Sequence, residues 1–305
     1  MKRVSFSLLC FSFLLVTVVS AQETSPLPEL AAPGATLEKL AGDFKFTEGP
    51  AVDSAGNVYF TDQPNDRILK WSVDGKLTTF LQPAGRSNGL YFDAEGALWA
   101  CADEKNQLWK IDVASGEAEV VLEGRDGKLF NGPNDLWIAP DGGVFFTDPL
   151  YKRPYWTHRD GEPQLPRALY RLSPDRQLAV ADPDVTQPNG IVGTPDGKRL
   201  YFADPGAKKT YVCDIAADGK LTNRRLFCEQ GSDGMTLDAE GNVYLTGKGV
   251  QIFSPAGEKI GQIDVPEKWT ANVCFGGADR QTLFITASTG FYALKMKVKG
   301  ATTAP

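Results

Sequence analysis

The sequence predicts an all-β fold, a six-bladed β-propeller with four strands in each blade. Short β-rich runs recur along the chain, each bounded by an Asp-Gly, Gly-Asn or Pro-Asp turn. Gly (31) and Pro (20) are frequent, and helical periodicity is scarce. One phrase, an Asp and Gly turn followed by β-formers that include an aromatic residue, occurs six times, the last copy without its Gly. Such repetition indicates a repeat architecture.

The aromatic residue that marks each copy gives the repeat length. Successive markers lie 40, 46, 56, 43 and 40 residues apart, at Tyr59, Trp99, Phe145, Tyr201, Tyr244 and Phe284. Units of about 40 residues match a four-stranded propeller blade. The first unit contains four predicted strands, at Thr47–Asp53, Asn57–Asp62, Arg67–Val73 and Lys76–Leu81. The sixth contains only three, at Thr270–Gly276, Thr282–Ala287 and Gly290–Lys297. We expect an N-terminal strand within Ala35–Ala41 to supply the fourth and close the ring.

The predicted propeller spans residues 35–298, and the chain ends lie outside it. Residues 1–21 have the layout of a secretory signal peptide: a basic start, an apolar run, and small residues before a cleavage site after Ala21. Residues 22–34 are predicted to form a mobile leader, and residues 299–305 a tail. We therefore expect an exported protein, periplasmic or extracellular, without a membrane attachment after signal cleavage.

Charge and cysteine content exclude some functions and leave one covalent question open. The net charge of −6 argues against a nucleic-acid partner, which would require a basic surface. Export permits disulfides. A bond between Cys213 and Cys228 across a hairpin is one interpretation, and buried apolar thiols, together with Cys101 and Cys274, are the other.

An acid or an amide precedes every marker aromatic by 11 or 12 residues. These residues are Glu48, Asn88, Asn134, Asn189, Asp233 and Asn272. The position opens the innermost strand of each blade, so we expect six side chains to converge at one mouth of the central channel. Repeated turn chemistry is the alternative interpretation, because Asn and Asp are common in turns. The constant offset, and a Glu in one copy, favour a convergent site.

The converging side chains form an all-oxygen donor set. Two carboxylates, Glu48 and Asp233, balance the charge of one divalent ion, and amide oxygens complete the set. Oxygen donors select hard cations, and the flexible coordination of Ca²⁺ suits bulky amide carbonyls. We therefore expect Ca²⁺, with Mg²⁺, Mn²⁺ and Zn²⁺ as alternatives. Zinc is the least suited, because the six converging side chains include no His or Cys.

Several short motifs resemble those of a known family. They are Thr47-Glu48-Gly-Pro50, Asn131-Gly-Pro-Asn134-Asp135, Phe146-Thr-Asp-Pro149, Pro188-Asn189-Gly190, Ser232-Asp233-Gly-Met235 and the closing segment Cys274–Thr286. Together they resemble the SMP-30/gluconolactonase/LRE-like proteins over roughly residues 36–296. The resemblance implies a six-bladed propeller with a channel metal, held here by Glu48, Asn134, Asn189 and Asp233. A shift of one residue would make Asp135 a ligand in place of Asn134.

The resemblance implies hydrolysis of a small-molecule sugar lactone, as a gluconolactonase-like carboxylic ester hydrolase. The metal would polarise the lactone carbonyl and Asp233 would act as general base toward water. Residues expected to contact substrate are Asn88, Asn131, Asp135 and Asn272, with His158 in the 149–166 loop. This long insertion is interpreted as a lid, and a surface loop whose aromatics pack on the blade is the alternative. Two alternatives remain: phosphotriesterase-like hydrolysis at the same metal, and a non-enzymatic binding propeller with a structural Ca²⁺. The oligomeric state is left open.

Overall fold

The structure, a computed structural model, describes Met1 and residues 29–301. Within these residues it has 26 strands, numbered β1 to β26 along the chain, one 3-10 turn at Gln63–Asn65, and no α-helix. The strands form six four-stranded antiparallel sheets and one two-stranded hairpin. None of the described elements is a helix with the length and apolarity needed to span a membrane.

Five of the six sheets take four consecutive strands of the chain. Blade 1 is formed by β2 (Thr47–Val52), β3 (Val58–Asp62), β4 (Arg67–Trp71) and β5 (Leu77–Leu81). Blade 2 is formed by β6 (Ser87–Phe92), β7 (Leu98–Ala102), β8 (Gln107–Ile111) and β9 (Ala118–Leu122). The hairpin of β10 (Gly124–Arg125) and β11 (Lys128–Leu129) follows. Blade 3 is formed by β12 (Leu136–Ile138), β13 (Val144–Asp148), β14 (Ala168–Leu172) and β15 (Leu178–Asp182).

The remaining blades complete the set. Blade 4 is formed by β16 (Ile191–Gly193), β17 (Arg199–Asp204), β18 (Lys209–Ile215) and β19 (Leu221–Cys228). Blade 5 is formed by β20 (Met235–Leu237), β21 (Val243–Gly247), β22 (Gly249–Phe253) and β23 (Lys259–Ile263). Blade 6 is formed by β24 (Thr270–Gly276), β25 (Thr282–Ala287), β26 (Gly290–Lys295) and the N-terminal β1 (Glu38–Ala41). The strands predicted for blades 1 and 6 are correct to within two residues at their ends, apart from β1.

The ring closes through strands from both ends of the chain. β1 pairs antiparallel with β26, with Glu38 opposite Ala293 and Ala41 opposite Phe291. The first strands of the six blades contact one another in order, and β24 of the last blade contacts β2 of the first. These innermost strands therefore surround a central channel. The predicted fold class, a six-bladed propeller closed by an N-terminal strand, is confirmed; β1 begins at Glu38 rather than Ala35.

The six marker aromatics lie in the apolar cores between successive blades. Tyr59 of blade 1 packs edge-on against Phe80 of its own blade and Phe92 of blade 2, with ring centroids 5.1 Å apart in each pair. The other five markers occupy equivalent cores, and Phe284 of blade 6 packs with Val58 and Phe60 of blade 1. Burying an aromatic side chain in each core stabilises the contact between blades. This role explains why the aromatic recurs once per repeat.

Both ends of the described range pack against the propeller. Ala31 is buried and bridges to Met296, while the Lys297 amide donates to Leu30 O at 2.8 Å. Gly300 bridges to Asp238. The expected signal peptide, residues 22–28 of the expected leader and residues 302–305 of the expected tail lie outside the described residues, Met1 excepted.

The four described cysteines are all buried and free. The register of β18 and β19 places Cys228 opposite Thr210, three positions from Cys213. A disulfide between Cys213 and Cys228 is therefore not formed, and the alternative of buried thiols holds.

Candidate active site

The six acids and amides lie at the same end of the innermost strands. Glu48, Asn88 and Asn272 lie within β2, β6 and β24, and each of the other three lies two residues before β12, β16 or β20. Five of the six are exposed by no more than 6%, and Asp233 is half-buried. One cavity of about 620 Å³ is lined by five of them: Glu48, Asn88, Asn134, Asn189 and Asp233.

Glycines beside the ring residues bring neighbouring strands into close contact. A Cβ on Gly190 would lie 2.5 Å from Asp233 O, and one on Gly234 would lie 1.9 Å from Asn272 Cγ. Gly89 is similar, 2.7 Å from Asn134 O. None of these three glycines has the positive φ that a glycine turn requires. The repeated Asn-Gly and Asp-Gly pairs therefore reflect crowding around the channel, not turn chemistry.

Carboxyl groups are crowded at this end of the channel. Burial, and then the charge of Asp233, raises the pKa of Glu48 well above its ordinary value. Burial also raises the pKa of Asp233 to about 6 and that of Asp135 to about 7. The nearby charge of Arg153 opposes the rise at Asp233. Ionising all three carboxyls in this space is unfavourable unless a cation lies among them.

Hydrogen bonds fix the orientation of Asp233. Asn189 Nδ2 donates to its Oδ1 at 2.7 Å, and Trp269 Nε1 donates to its Oδ2 at 2.5 Å. Asn189 Nδ2 also donates to the Tyr151 hydroxyl at 3.0 Å. Because the amide nitrogen of Asn189 is used in this way, its carbonyl oxygen is the atom left for another ligand.

The donor set fits a hard cation. The amide oxygen Oδ1 of Asn88 is buried and has no hydrogen-bond partner. A buried oxygen without a partner costs free energy, which a bound cation would offset. Within residues 29–301 no group of three or more His, Cys, Asp or Glu side chains is arranged to hold a metal. A cation here would therefore need amide oxygens as well as Glu48 and Asp233.

Asp135 and Asn272 form a layer deeper in the channel. They line a second cavity of about 580 Å³ that lies deeper in the channel. They do not line the cavity of about 620 Å³, here named the upper cavity. Asn272 Nδ2 donates to Asp135 Oδ2 at 3.3 Å, while Asp135 Oδ1 accepts from the Leu136 amide at 3.0 Å. The adjacent Asn134 lines the upper cavity, so Asn134 rather than Asp135 faces the ring.

The structure does not bring Asn131 or His158 to the cavity. Asn131 is fully buried, and its Nδ2 donates to Leu165 O at 2.9 Å. His158 is exposed, and its Nε2 lies 2.9 Å from Asn106 Oδ1 at the edge of blade 2. Both residues help to hold the 149–166 loop to the body of the propeller.

The 149–166 loop forms a wall of the cavity. Tyr151 and Arg153 line it. The buried carboxylate of Asp103 anchors the loop, because its Oδ2 accepts from Arg153 Nε at 2.9 Å and from the Tyr155 hydroxyl at 2.5 Å. Trp156 Nε1 also donates to Asp103 O at 2.8 Å.

Three cavity residues, Tyr151, Arg153 and Trp269, are missing from the site predicted by sequence. Tyr151 and Arg153 belong to the 149–166 loop, whose length and aromatic content mark it as a functional candidate. Trp269 precedes β24 and carries no local motif. Its proximity to Asp233 arises only when blades 5 and 6 pack together.

Comparison with known proteins places the chain in a family. The family model described as the SMP-30/gluconolactonase/LRE-like region matches residues 46–289. A gluconolactonase of Zymomonas mobilis is 31% identical over 87% of this chain and 82% of its own length.

Solved structures extend the likeness to the fold. A gluconolactonase of Xanthomonas campestris superimposes with a TM-score of 0.79 at 28% identity, covering 90% of this chain and 99% of that one. A regucalcin of Agrobacterium tumefaciens, described as a calcium-binding protein, superimposes with a TM-score of 0.72. At 21% identity, over 87% of this chain and 95% of that one, the second likeness shows the fold alone.

Proposed function

This chain belongs to the SMP-30/gluconolactonase/LRE-like family, and from that premise we propose that it is a lactone hydrolase that opens a sugar lactone with the aid of a divalent cation. One observation carries the proposal: the buried carboxylate of Glu48, the half-buried one of Asp233 and several amide side chains from different blades line a single cavity that is large enough for a sugar. Relatives named gluconolactonase support the reaction class.

We assign the cation to Glu48, Asn134, Asn189 and Asp233, with Ca²⁺ as the expected ion. The all-oxygen donors support a hard cation, and the partnerless oxygen of Asn88 supports a further polar contact at the same place. When bound, the ion would polarise a carbonyl oxygen and acidify a water molecule.

Asp233 is the proposed general base. Its carboxylate accepts the proton of the attacking water as that water adds to the lactone carbonyl carbon. The bond from this carbon to the ring oxygen then breaks, and the proton passes to the oxygen that leaves as a hydroxyl. Trp269 and Asn189 hold the carboxylate through hydrogen bonds to its two oxygens, so its orientation is set before substrate arrives.

The remaining cavity residues are suited to hold a sugar ring. Tyr151 and Trp269 present aromatic surface, and Trp269 is 45% exposed. Asn88, Gln230 and Gln251 offer amides to ring hydroxyls. Asp135 and Asn272 lie deeper in the channel, beneath this cavity.

Acid release from glucono-1,5-lactone by the wild type, with and without a chelator, tests the proposal. We expect the chelator to abolish turnover. Asp233→Asn should lower kcat by about a hundredfold or more, because the base is lost, while circular dichroism and the melting temperature stay close to wild type. Asp218→Asn, in an exposed turn on blade 4, is the matched control.

Each outcome separates the possible functions. Near-normal turnover by Asp233→Asn would refute the role of this residue as base. Turnover of a phosphotriester in place of the lactone would favour the phosphoryl alternative. A chelator that lowers the melting temperature while neither substrate reacts would favour a binding propeller with a structural ion.

Export through residues 1–21 is also a proposal. The basic start, apolar run and small residues of the N-terminus support it. A periplasmic or extracellular enzyme would meet its lactone outside the cytoplasm.

A further inference from the structure

Three positively charged side chains lie along one side of the upper cavity. Arg153, Lys208 and Lys248 all line it. Each lies in the connection between the second and third strands of its blade, in blades 3, 4 and 5 in turn. Consecutive blades are neighbours in the ring, so the three residues form an arc of positive charge, here named the cationic arc.

The two lysines of the cationic arc have no acidic partner. Both are exposed, and within the part of the chain that the structure describes neither forms an ion pair or a side-chain hydrogen bond. Other exposed lysines do: Lys198 pairs with Asp196 and Lys220 with Asp218, each in its own turn. Among the residues that the structure describes, the acids that line the cavity are Glu48 and Asp233 alone, and both belong to the set of six acids and amides at the channel mouth.

The turns of the two lysines are built to hold them in place. Lys208 has a left-handed conformation, with φ 56°, and Lys248 sits between Gly247 and Gly249, which pair with each other across the turn. A Cβ on Gly249 would lie 2.4 Å from Ile263 O, so the turn is packed against the neighbouring strand. The lysine stems therefore start from fixed backbone positions.

Arg153 presents the free part of its guanidinium to the cavity. Its Nε is bound by Asp103, which fixes the plane of the group. Neither Nη forms a hydrogen bond to another described residue. A fixed guanidinium with both Nη groups free is suited to bind a carboxylate, sulfonate or phosphate in a bidentate manner.

We propose that the substrate is a sugar lactone that carries an oxyanionic substituent. The cationic arc binds this substituent, while the acids and amides at the channel mouth act on the lactone carbonyl. The proposal rests on the lactone hydrolase function above. The protein has a net charge of −6, so a row of three cationic side chains along one side of the cavity, two of them without an acidic partner, departs from the overall charge of the molecule. Such a row raises the local concentration of an anionic substrate.

The test compares a neutral lactone with charged ones. We would measure kcat/KM for glucono-1,5-lactone, for its 6-phosphate and for the carboxylate-bearing glucaro-1,4-lactone, at low and at high salt. The preference is the ratio of the value for a charged lactone to that for the neutral one. We expect the wild type to prefer at least one charged lactone, and this preference to weaken at high salt, because screening reduces the attraction.

Variants identify the groups that produce the preference. Lys208→Gln combined with Lys248→Gln should lower the preference by about tenfold. The control combines Lys198→Gln with Lys220→Gln, which changes the net charge equally on exposed outer turns and should leave the preference unchanged. The charged lactone whose preference ratio falls most in the double variant identifies phosphate or carboxylate as the substituent.

The outcomes separate the two proposals. The wild type could open the neutral lactone as efficiently as the charged ones, with the same preference ratio in the double variant. That result would refute the anionic substrate and leave the hydrolase proposal standing. If no lactone is opened, the hydrolase proposal fails, and calorimetry then tests the cationic arc directly. Binding of 6-phosphogluconate more tightly than gluconate, weakened in the double variant, would still support the arc, and equal binding would refute it.

Discussion

At the scale of single residues, the six acids and amides at the channel mouth converge because glycines lie beside them. Gly89, Gly190 and Gly234 have no side chain, and this lets the start of one innermost strand approach the next. The carboxylates and amides on either side of these glycines are thereby held close to the channel axis. Burial then raises the pKa of Glu48 and Asp233, so the same packing that assembles the site also gives it a strong demand for positive charge.

Substitution of Gly234 tests this packing. A Cβ in Gly234→Ala would lie 1.9 Å from Asn272 Cγ, so Asn272, which donates to Asp135, must move. We expect unfolding free energy to fall by about 1–3 kcal/mol, measured by urea denaturation. In Gly42→Ala, the control, the close contacts of the new Cβ are with the end of the Lys39 side chain, which can move, and Thr289 O lies at an ordinary contact distance of 3.8 Å. Equal midpoints for the two variants would contradict the packing argument.

The sequence reveals ring residues better than it reveals their surroundings. Glu48 and Asp233 could be found because a repeat fixes their offset from an aromatic marker. Trp269 could not, because its contact with Asp233 joins two blades and follows no local pattern. His158 is the one histidine of the sequence and lies in a long loop, which predicts a place in the site, yet the loop turns it toward Asn106 and out of the cavity.

At the scale of elements, the 149–166 loop forms one wall of the cavity and is attached to the neighbouring blade; its role as a lid stays a prediction. Its attachment to blade 2 converges on one buried carboxylate, Asp103. Burial raises the pKa of Asp103, against the opposing charge of Arg153. The length of the insertion is visible in the sequence, but its anchor lies some 50 residues earlier in the chain and can be identified only in three dimensions.

Loss of the anchor should loosen this loop. In Asp103→Asn the ion pair with Arg153 is lost, and we expect faster cleavage by trypsin after Lys152. We also expect a higher KM, because Tyr151 and Arg153 lose their fixed positions. Asp160→Asn in the same loop is the control, since among the described residues its carboxylate accepts only from the nearby Glu162 amide, at 3.0 Å. Equal cleavage rates for the two variants would show that Asp103 is not the anchor.

At the scale of the whole molecule, stability depends on a strand pair that joins the two ends of the chain. β1 covers the outer edge of β26, and Leu40 and Ala41 pack on the core between blades 6 and 1. The missing fourth strand of the sixth repeat made this closure predictable from sequence. The start of β1 was less predictable, because residues 35–37 are β-suitable yet lie outside the strand.

Removal of β1 tests the closure. A chain that begins at residue 43 should melt about 10 °C or more below one that begins at residue 29, because blade 6 loses its outer strand and exposes the edge of β26. An exposed edge should also promote aggregation, measured by light scattering. Equal melting temperatures would show that three strands are enough for the last blade.

The meeting of the two ends at blade 6 has a consequence for how the protein can be rearranged. A short linker between them would turn the chain into a covalent circle, which could then be reopened between any two blades. In such circular permutants every blade would be formed by four consecutive strands, and the new chain ends would lie between two neighbouring blades. The pocket would be rebuilt unchanged, because each blade contributes its own side chain and no blade has to come first.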